Sequence, residues 1–370
     1  MRRLFRAGIV LTLGGILIAG LAKSLDIARE RGKVNSARLS GKMQTACIGR
    51  FLIDMPDEAQ LDFGCARIDG FDIGAFKEST DEFLARLGKR EAEINAKPDR
   101  QGGNKNVELV KEVKTRSGLV GKIFIHSRVV EEGTAGNGLE KERYRYEGIA
   151  VEALLHGDGV SIDAGSDFYF PDRLEDFYSV VTRLVPNPRN QAPDESGFCI
   201  DRAYIRDLLK TDRHEQISMF AKLPSHPDID FLLMLAAGIK PDRDGLLKRG
   251  AASERKFPIL ERFRITRLRA EQRQIGGLSG EELVRRVIES NNARVYSFKW
   301  EVNGIEDDVL IPHLLFSMTT GKSNDGPVPT SMSERTALGL WDKILSSIRV
   351  RPPVPRKPDP IDPGPVRVQK

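Results

Sequence analysis

The sequence predicts an α+β fold in two domains, each a mainly antiparallel sheet with packed helices. Three observations carry this. Strand-like segments outnumber helix-like ones, and no regular alternation of strand and crossover helix appears. A stretch from Pro186-Asn187-Pro188 to Pro193-Asp194 then breaks the chain near its middle, with no periodicity of its own. A length of 370 residues, 40% apolar and 30% charged, suits about two globular domains. Against 58 Lys and Arg stand 53 Asp and Glu, a small imbalance of +5 that argues against a nucleic-acid partner.

At the N-terminus, Arg2, Arg3 and Arg6 precede an uncharged run from Ala7 to Ala22. Sixteen helical residues span about 24 Å, short of the roughly 30 Å hydrocarbon thickness, so residues 1–22 read as a signal peptide or membrane anchor, the signal peptide favoured. Gly20-Leu21-Ala22 offers a small-x-small cleavage site. Lys23, Arg29, Arg31 and Lys33 follow the run and weaken the charge asymmetry, but a long folded domain translocates largely regardless. The expected location is therefore the periplasm, with an inner-membrane tether as the alternative. Residues 23–46 are polar and read as a tether. At the other end, seven prolines from Pro352 to Pro365 make residues 352–370 an extended tail that cannot pack.

The two units between, 47–190 and 195–351, read as a pseudo-repeat. Each opens on a cysteine-bearing apolar strand, Ala46 to Ile53 and Phe198 to Asp201. Each is expected to contain a helix with a capping box, Ser79-x-x-Glu82 before Phe83, Leu84 and Leu87, and Ser279-x-x-Glu282 before Leu283, Val284 and Val287. Each ends in an amphipathic helix running into proline, with Phe177, Val181 and Leu184 mirrored by Trp341, Leu345 and Ile348. Strands are expected at Lys122 to Val130, Arg143 to Leu155 and Val160 to Ala164, the last two joined through Gly157-Asp158-Gly159. Tyr296, Phe298, Trp300 and Val302 alternate with polar residues, and Asn303-Gly304 follows as a hairpin turn.

A search for chemistry finds none. No Gly-x-Ser-x-Gly exists, and Ser279 in Gly277-Leu278-Ser279-Gly280 is better explained as a helix cap. Thr319-Thr320-Gly321-Lys322-Ser323 ends like a phosphate-binding loop, but Phe316 occupies the first glycine position and a turn replaces the helix. His126, His156, His214, His226 and His313 lie in unrelated segments and read as surface histidines. Asp228 with Asp230, or Asp307 with Asp308, form pairs that composition alone supplies. Three cysteines without C-x-x-C and no H-E-x-x-H argue against a metal site. Catalytic, metal and cofactor residues are therefore expected to be none, with no small-molecule substrate. Two polar loops, Glu131 to Gly138 and Gly321 to Ser333, suit protein contact, as long loops on a rigid sheet often carry recognition.

Several motifs occur in a telling order: Cys47-Ile-Gly-Arg-Phe-Leu-Ile-Asp-Met-Pro56, Gly197-Phe-Cys-Ile-Asp201, Gly276-Gly277-Leu278 with Glu281-Glu282-Leu283, Phe298-Lys-Trp-Glu301, Leu315-Phe-Ser-Met-Thr-Thr-Gly321 and Leu340 to Arg349. From about Cys47 to Pro352 the chain resembles the Tle cognate immunity proteins, which protect bacteria against lipase effectors delivered by type VI secretion. The resemblance implies a two-domain periplasmic inhibitor that binds a phospholipase effector by stoichiometric contact, and is not an enzyme. It assigns no contact residue to a numbered position. An envelope hydrolase with an unrecognised site and a noncatalytic envelope scaffold are the competing readings.

Three cysteines allow three pairings with one thiol left over. The preferred pair is Cys47 with Cys199, because both fall in the motifs that carry the resemblance and the bridge would close a loop of about 150 residues. A Cys47 to Cys65 bridge, across a hairpin turning at about Pro56, and three unpaired thiols remain the alternatives.

Overall fold

The computed structural model describes residues 41–98, 106–136, 141–206 and 213–351. The first half opens on the hairpin β1 (Met43–Ile48) and β2 (Phe51–Pro56), then β3 (Gln60–Phe63), β4 (Ala66–Ile68) and β5 (Phe71–Lys77). Helix α1 (Thr80–Ala96) precedes a meander of β6 (Val107–Lys114), β7 (Val120–Ala135), β8 (Glu142–Gly157) and β9 (Val160–Tyr169). Helix α2 (Leu174–Arg183) and β10 (Leu184–Pro186) close it. The second half begins with two hairpins, β11 (Gly197–Ile200) with β12 (Ala203–Arg206), then β13 (Glu215–Leu223) with β14 (His226–Ala237). Helix α3 (Leu246–Arg255) and the single turn α4 (Ile259–Arg262) lead into β15 (Ile265–Ile275), β16 (Leu278–Ile288), β17 (Arg294–Val302) and β18 (His313–Thr319). Helix α5 (Glu334–Leu345) and β19 (Arg349–Val350) end the described chain.

Thirteen strands make one antiparallel sheet, in the order β15-β16-β17-β18-β14-β13-β4-β5-β9-β8-β7-β6 with β3 also on β13. The seam is β13 against β4, where Glu215 faces Ile68 and Gln216 faces Arg67. The sheet thus crosses the proline-rich boundary rather than ending at it. Outward from the seam, β13-β14-β18-β17-β16-β15 repeats β4-β5-β9-β8-β7-β6. Arg50 and Glu215 form a buried ion pair across the two halves at 2.5 Å.

The halves also exchange their last strands. β10 pairs with β12 of the second half, while β19 pairs with β2 of the first. Cys47-Ile-Gly-Arg50 and Cys199-Ile-Asp-Arg202 occupy equivalent tight turns, closed by Ile48 opposite Phe51 and Ile200 opposite Ala203. Gly49 and Cys199 exchange backbone hydrogen bonds of 2.9 and 2.8 Å, which joins the two small sheets end to end. At Gly49 the backbone is left-handed at φ +53°, and a Cβ would sit 3.2 Å from Leu235 and Phe198, so a side chain there would be both strained and crowded. Cys47 and Cys199 are bonded here, with Cα atoms 5.8 Å apart, and Cys65 is free.

One face of the large sheet packs against α2, α5 and the small sheets. Phe177, Val180 and Val181 come from α2, and Trp341, Ile344 and Leu345 from α5. Trp341 stacks on Phe316 at 5.0 Å and lies 5.4 Å from Phe298. On the opposite face α1 buries Phe83, Leu87 and Ile94 on Phe124 and Leu154, while α3 crosses β16 with Gly250 against Leu283. The capping box of α1 is present as expected, with Ser79 accepting from the Glu82 backbone and Glu82 accepting from that of Ser79.

Several expectations give way. Ser279 to Val287 is strand, not helix. Gly276 and Gly277, at φ +55° and +87°, make the two-residue turn that links β15 to β16, and this Gly-Gly signal outweighs the capping spacing. The repeat partner of α1 is accordingly α3. Asn303-Gly304 does not close a tight hairpin, since 303–312 form a longer loop in which Asn303 bonds the Asp242 backbone in both directions. The first hairpin turns at Gly49-Arg50, not Pro56, so Cys47 faces Leu52 and is far in register from Cys65. Residues 43–46 of the expected tether belong to β1. Glu131 to Ala135 continue β7 and pair with β8 instead of forming a loop. The segments 1–40 and 352–370, which include the apolar run and the proline-rich tail, lie outside the described residues.

Candidate functional site

Acid–base or nucleophilic chemistry would most readily use a histidine. His126, His156 and His226 are buried rather than on the surface, His313 is half-buried and His214 is exposed. Ser331 Oγ donates to Asp228, and its oxygen lies 2.7 Å from His226 Nδ1. The single hydroxyl proton is already given to Asp228, so His226 Nδ1 must donate to Ser331 rather than take its proton. That order is the reverse of a nucleophile with its base. Burial pushes the His226 pKa down, against the pull of Asp228. Asp228 also accepts from the backbones of Gly321 at 3.0 Å and Ser331 at 3.1 Å, so it pins the loop from Gly321 to Ser333 to β14. His156 sits in a similar structural network, with Thr80 and Ser161 each 3.1 Å away and Ser161 donating to Glu78. Among the described residues no group of three or more His, Cys, Asp or Glu could hold a metal ion.

Charges cluster where α1 crosses β8 and β9. Arg86 bridges Glu78 and Asp163, and Arg90 grips Glu152, to which His126 Nε2 also donates at 3.0 Å. Burial alone would raise the Glu152 carboxyl, but the bonds from His126 and Arg90 outweigh it and hold its pKa at about 2, down from 4.5. A carboxylate held below its unfolded value stabilises the fold fully above that value and loses the contribution as pH falls through the folded one. Thermal melts should therefore weaken as pH drops from 4.5 towards 2. In Glu152→Gln the melting temperature should be lower at neutral pH and fall less steeply across the same window; an unchanged slope would contradict this assignment.

Among the described residues, no helix lies over the outer face of the sheet between α1 and α3. On β13 and β14 the core side takes Ile217, Met219, Phe231 and Leu233, while the other side presents Phe220, Leu232 and Met234. Leu315 on β18 faces Met234, and Leu232 faces Phe220, so these side chains form one apolar patch across three strands. Around it stand Lys222 and the Lys322–Asp230 ion pair, 2.8 Å. Towards α1 the face deepens into a cleft of about 660 Å³ lined by Phe76, Asp72, Arg86, Arg90 and Asp163, with the Cys65 thiol at its edge. A second recess, about 440 Å³, lies at the seam between Arg67, Asp69, His214 and Ile239. An apolar centre inside a polar surround is the anatomy of a protein-docking surface.

Residues 44–147 match the Tle cognate immunity protein 4 N-terminal domain, and residues 191–353 match the C-terminal domain of the same protein. The chain belongs to the Tle cognate immunity protein 4 family. The first match ends within β8 and the second spans β11 to β19, so the seam joins β4 of one matched region to β13 of the other. No curated protein matches this immunity protein. Among solved structures it is similar to the apo immunity protein TplEi of the type VI secretion system (T6SS) of Pseudomonas aeruginosa, 24% identical, with a TM-score of 0.64 over 84% of this chain and 98% of that one. TplEi complexed with "L" peptide is 23% identical, at 0.65 over 85% and 99%. The Tle4–Tli4 complex contains a chain 23% identical, at 0.66 over 84% and 98%. At these identities the likeness is one of fold.

No local motif points to the patch, but Ile229-Asp-Phe-Leu-Leu-Met-Leu-Ala236 is apolar at both parities, which marks a strand whose second face is not simply solvated.

Proposed function

We propose that this immunity protein binds a cognate type VI lipase effector in one-to-one contact and blocks it in the periplasm, without chemistry of its own. The working units are the two halves 47–190 and 195–351, acting through a sheet they share. The observation that carries the reading is the apolar patch of exposed Phe220 with half-buried Leu232, Met234 and Leu315, at the centre of a face framed by α1 and α3. Its relatives are seen with a peptide and with Tle4, which supports a protein partner. The uncharged run after Arg2, Arg3 and Arg6 supports export.

Co-purification with a candidate type VI lipase effector, followed by a lipase assay, tests the reading. A stable complex that keeps full lipase activity would overturn it. Phe220→Asp with Leu232→Asp should weaken the complex by about 2 kcal/mol or more, roughly thirtyfold in Kd, as expected of central apolar anchors. Both side chains face away from the core, so the melting temperature should change little. A variant with undiminished affinity would move the contact elsewhere.

A further inference from the structure

A second exposed apolar feature lies away from the patch, on the connection between α3 and β15. Ile259 is 69% exposed and Leu260 and Phe263 are each 81% exposed, with Phe257 and Ile288 beside them at 41% and 37%. These side chains project from a turn rather than line a groove. The turn is firmly built. Arg262 Nε donates to Phe257 O at 2.9 Å and its Nη2 to Arg255 O at 2.5 Å, while Arg264 Nη1 donates to Glu289 O at 2.8 Å. Those bonds fix the guanidinium groups on main-chain carbonyls and leave their charge uncompensated.

Arg255, Lys256, Arg262 and Arg264 are all exposed and, among the described residues, make no ion pair. Of the nearby carboxylates, Glu254 is held by Arg267 and Arg285, and Glu261 stands on the turn itself. A recess of about 160 Å³ opens beside the turn between Arg255, Arg262 and Arg267, with Glu254 on its wall.

We propose that the turn from Phe257 to Phe263 is a membrane anchor, which dips Ile259, Leu260 and Phe263 into the surface of a bilayer rich in anionic phospholipid. Large apolar side chains that touch little of their own fold are best buried by a yielding medium such as the boundary between headgroups and acyl chains. Cations arrayed around them attract lipid phosphate, and the recess between three arginines is of a size to receive one. A protein partner would need a pocket shaped to this projection, and nothing in the charge pattern calls for one. Docking at the membrane would place the protein on the surface that a phospholipase must reach, a consequence independent of how the lipase is inhibited.

The test uses the full chain carrying Phe263→Trp. Trp300 and Trp341 are fully buried, so the new indole reports on the turn, and binding through any other segment does not mimic it. With vesicles of phosphatidylethanolamine and phosphatidylglycerol, its emission should shift to the blue and be quenched by brominated acyl chains. With phosphatidylcholine vesicles neither should occur. Ile259→Asp with Leu260→Asp should reduce the lipid-dependent signal by about tenfold or more at unchanged melting temperature. Arg255→Glu with Lys256→Glu and Arg264→Glu should reduce it comparably on anionic vesicles. An indole that stays in water on anionic vesicles overturns the proposal, as does an equal response to both lipids. If the aspartate variant instead loses lipase binding in the absence of membrane while the indole stays silent, the turn is a protein contact and the proposal fails.

Discussion

Trp341→Ala will lower the unfolding free energy by about 4 to 5 kcal/mol, the largest single-residue effect expected in the core. Trp341 is fully buried, and its ring lies against both Phe316 and Phe298, so truncation opens a cavity under the middle of the second half. It does a second thing. Trp341 Nε1 donates to Glu282 Oε1 at 2.5 Å, and Arg273 reaches the same oxygen at 2.8 Å. Glu282 is wholly buried, so losing one donor leaves a carboxylate with less compensation for its desolvation. Trp341→Phe keeps most of the packing and removes only that N–H, so it should cost about 1 to 3 kcal/mol. Urea unfolding of the two variants separates the terms; a Trp341→Phe protein as stable as the parent would mean that the hydrogen bond carries nothing.

Replacing Cys47 and Cys199 together by serine should cost about 3 to 5 kcal/mol, with the expected size following from the loop that the bridge closes. The cysteines are 152 positions apart, and a constraint of that length restricts the unfolded chain strongly. Their equivalence across the repeat means that the bond ties the two halves at corresponding points. Non-reducing peptide maps should show Cys65 alkylated and the other two linked. Three alkylated thiols in protein purified from the periplasm would contradict both the pairing and the predicted loss.

What the sequence disclosed depended on how local the determining physics was. Helix α1 was legible because Ser79 and Glu82 satisfy each other's backbone groups within one turn. The strand at Tyr296 was legible because Tyr296, Phe298 and Trp300 meet the core while polar Ser297 and Lys299 lie half-buried on the other face. Ser279 to Val287 misled because its serine and glutamate have capping spacing, whereas Glu282 is held by Arg273 and by Trp341, the latter 59 positions away. His126, His156 and His226 were misplaced for the same reason. Burial of His226 depends on Ser331 and the loop folded over it, and no local pattern announces that. The apolar face was hidden by the strand order, since Phe220 and Leu315 become neighbours of one patch only when β14 lies between their strands.

The exchange of end strands between the halves bears on the order in which the molecule can be completed. A chain that arrives N-terminus first makes β1 and β2 early, but their third strand is β19, held back until almost the last described residue has emerged. Arg349 and Ser347 then both fasten to Asp54. Neither half can be finished in isolation, because each would expose an unfilled edge that the other was meant to occupy. Duplication here has not produced two interchangeable modules. It has produced mutual dependence: a break anywhere between β2 and β19 would leave two fragments that must find each other before either is whole, and a truncation that removes only Arg349–Val350 would be felt some three hundred residues upstream.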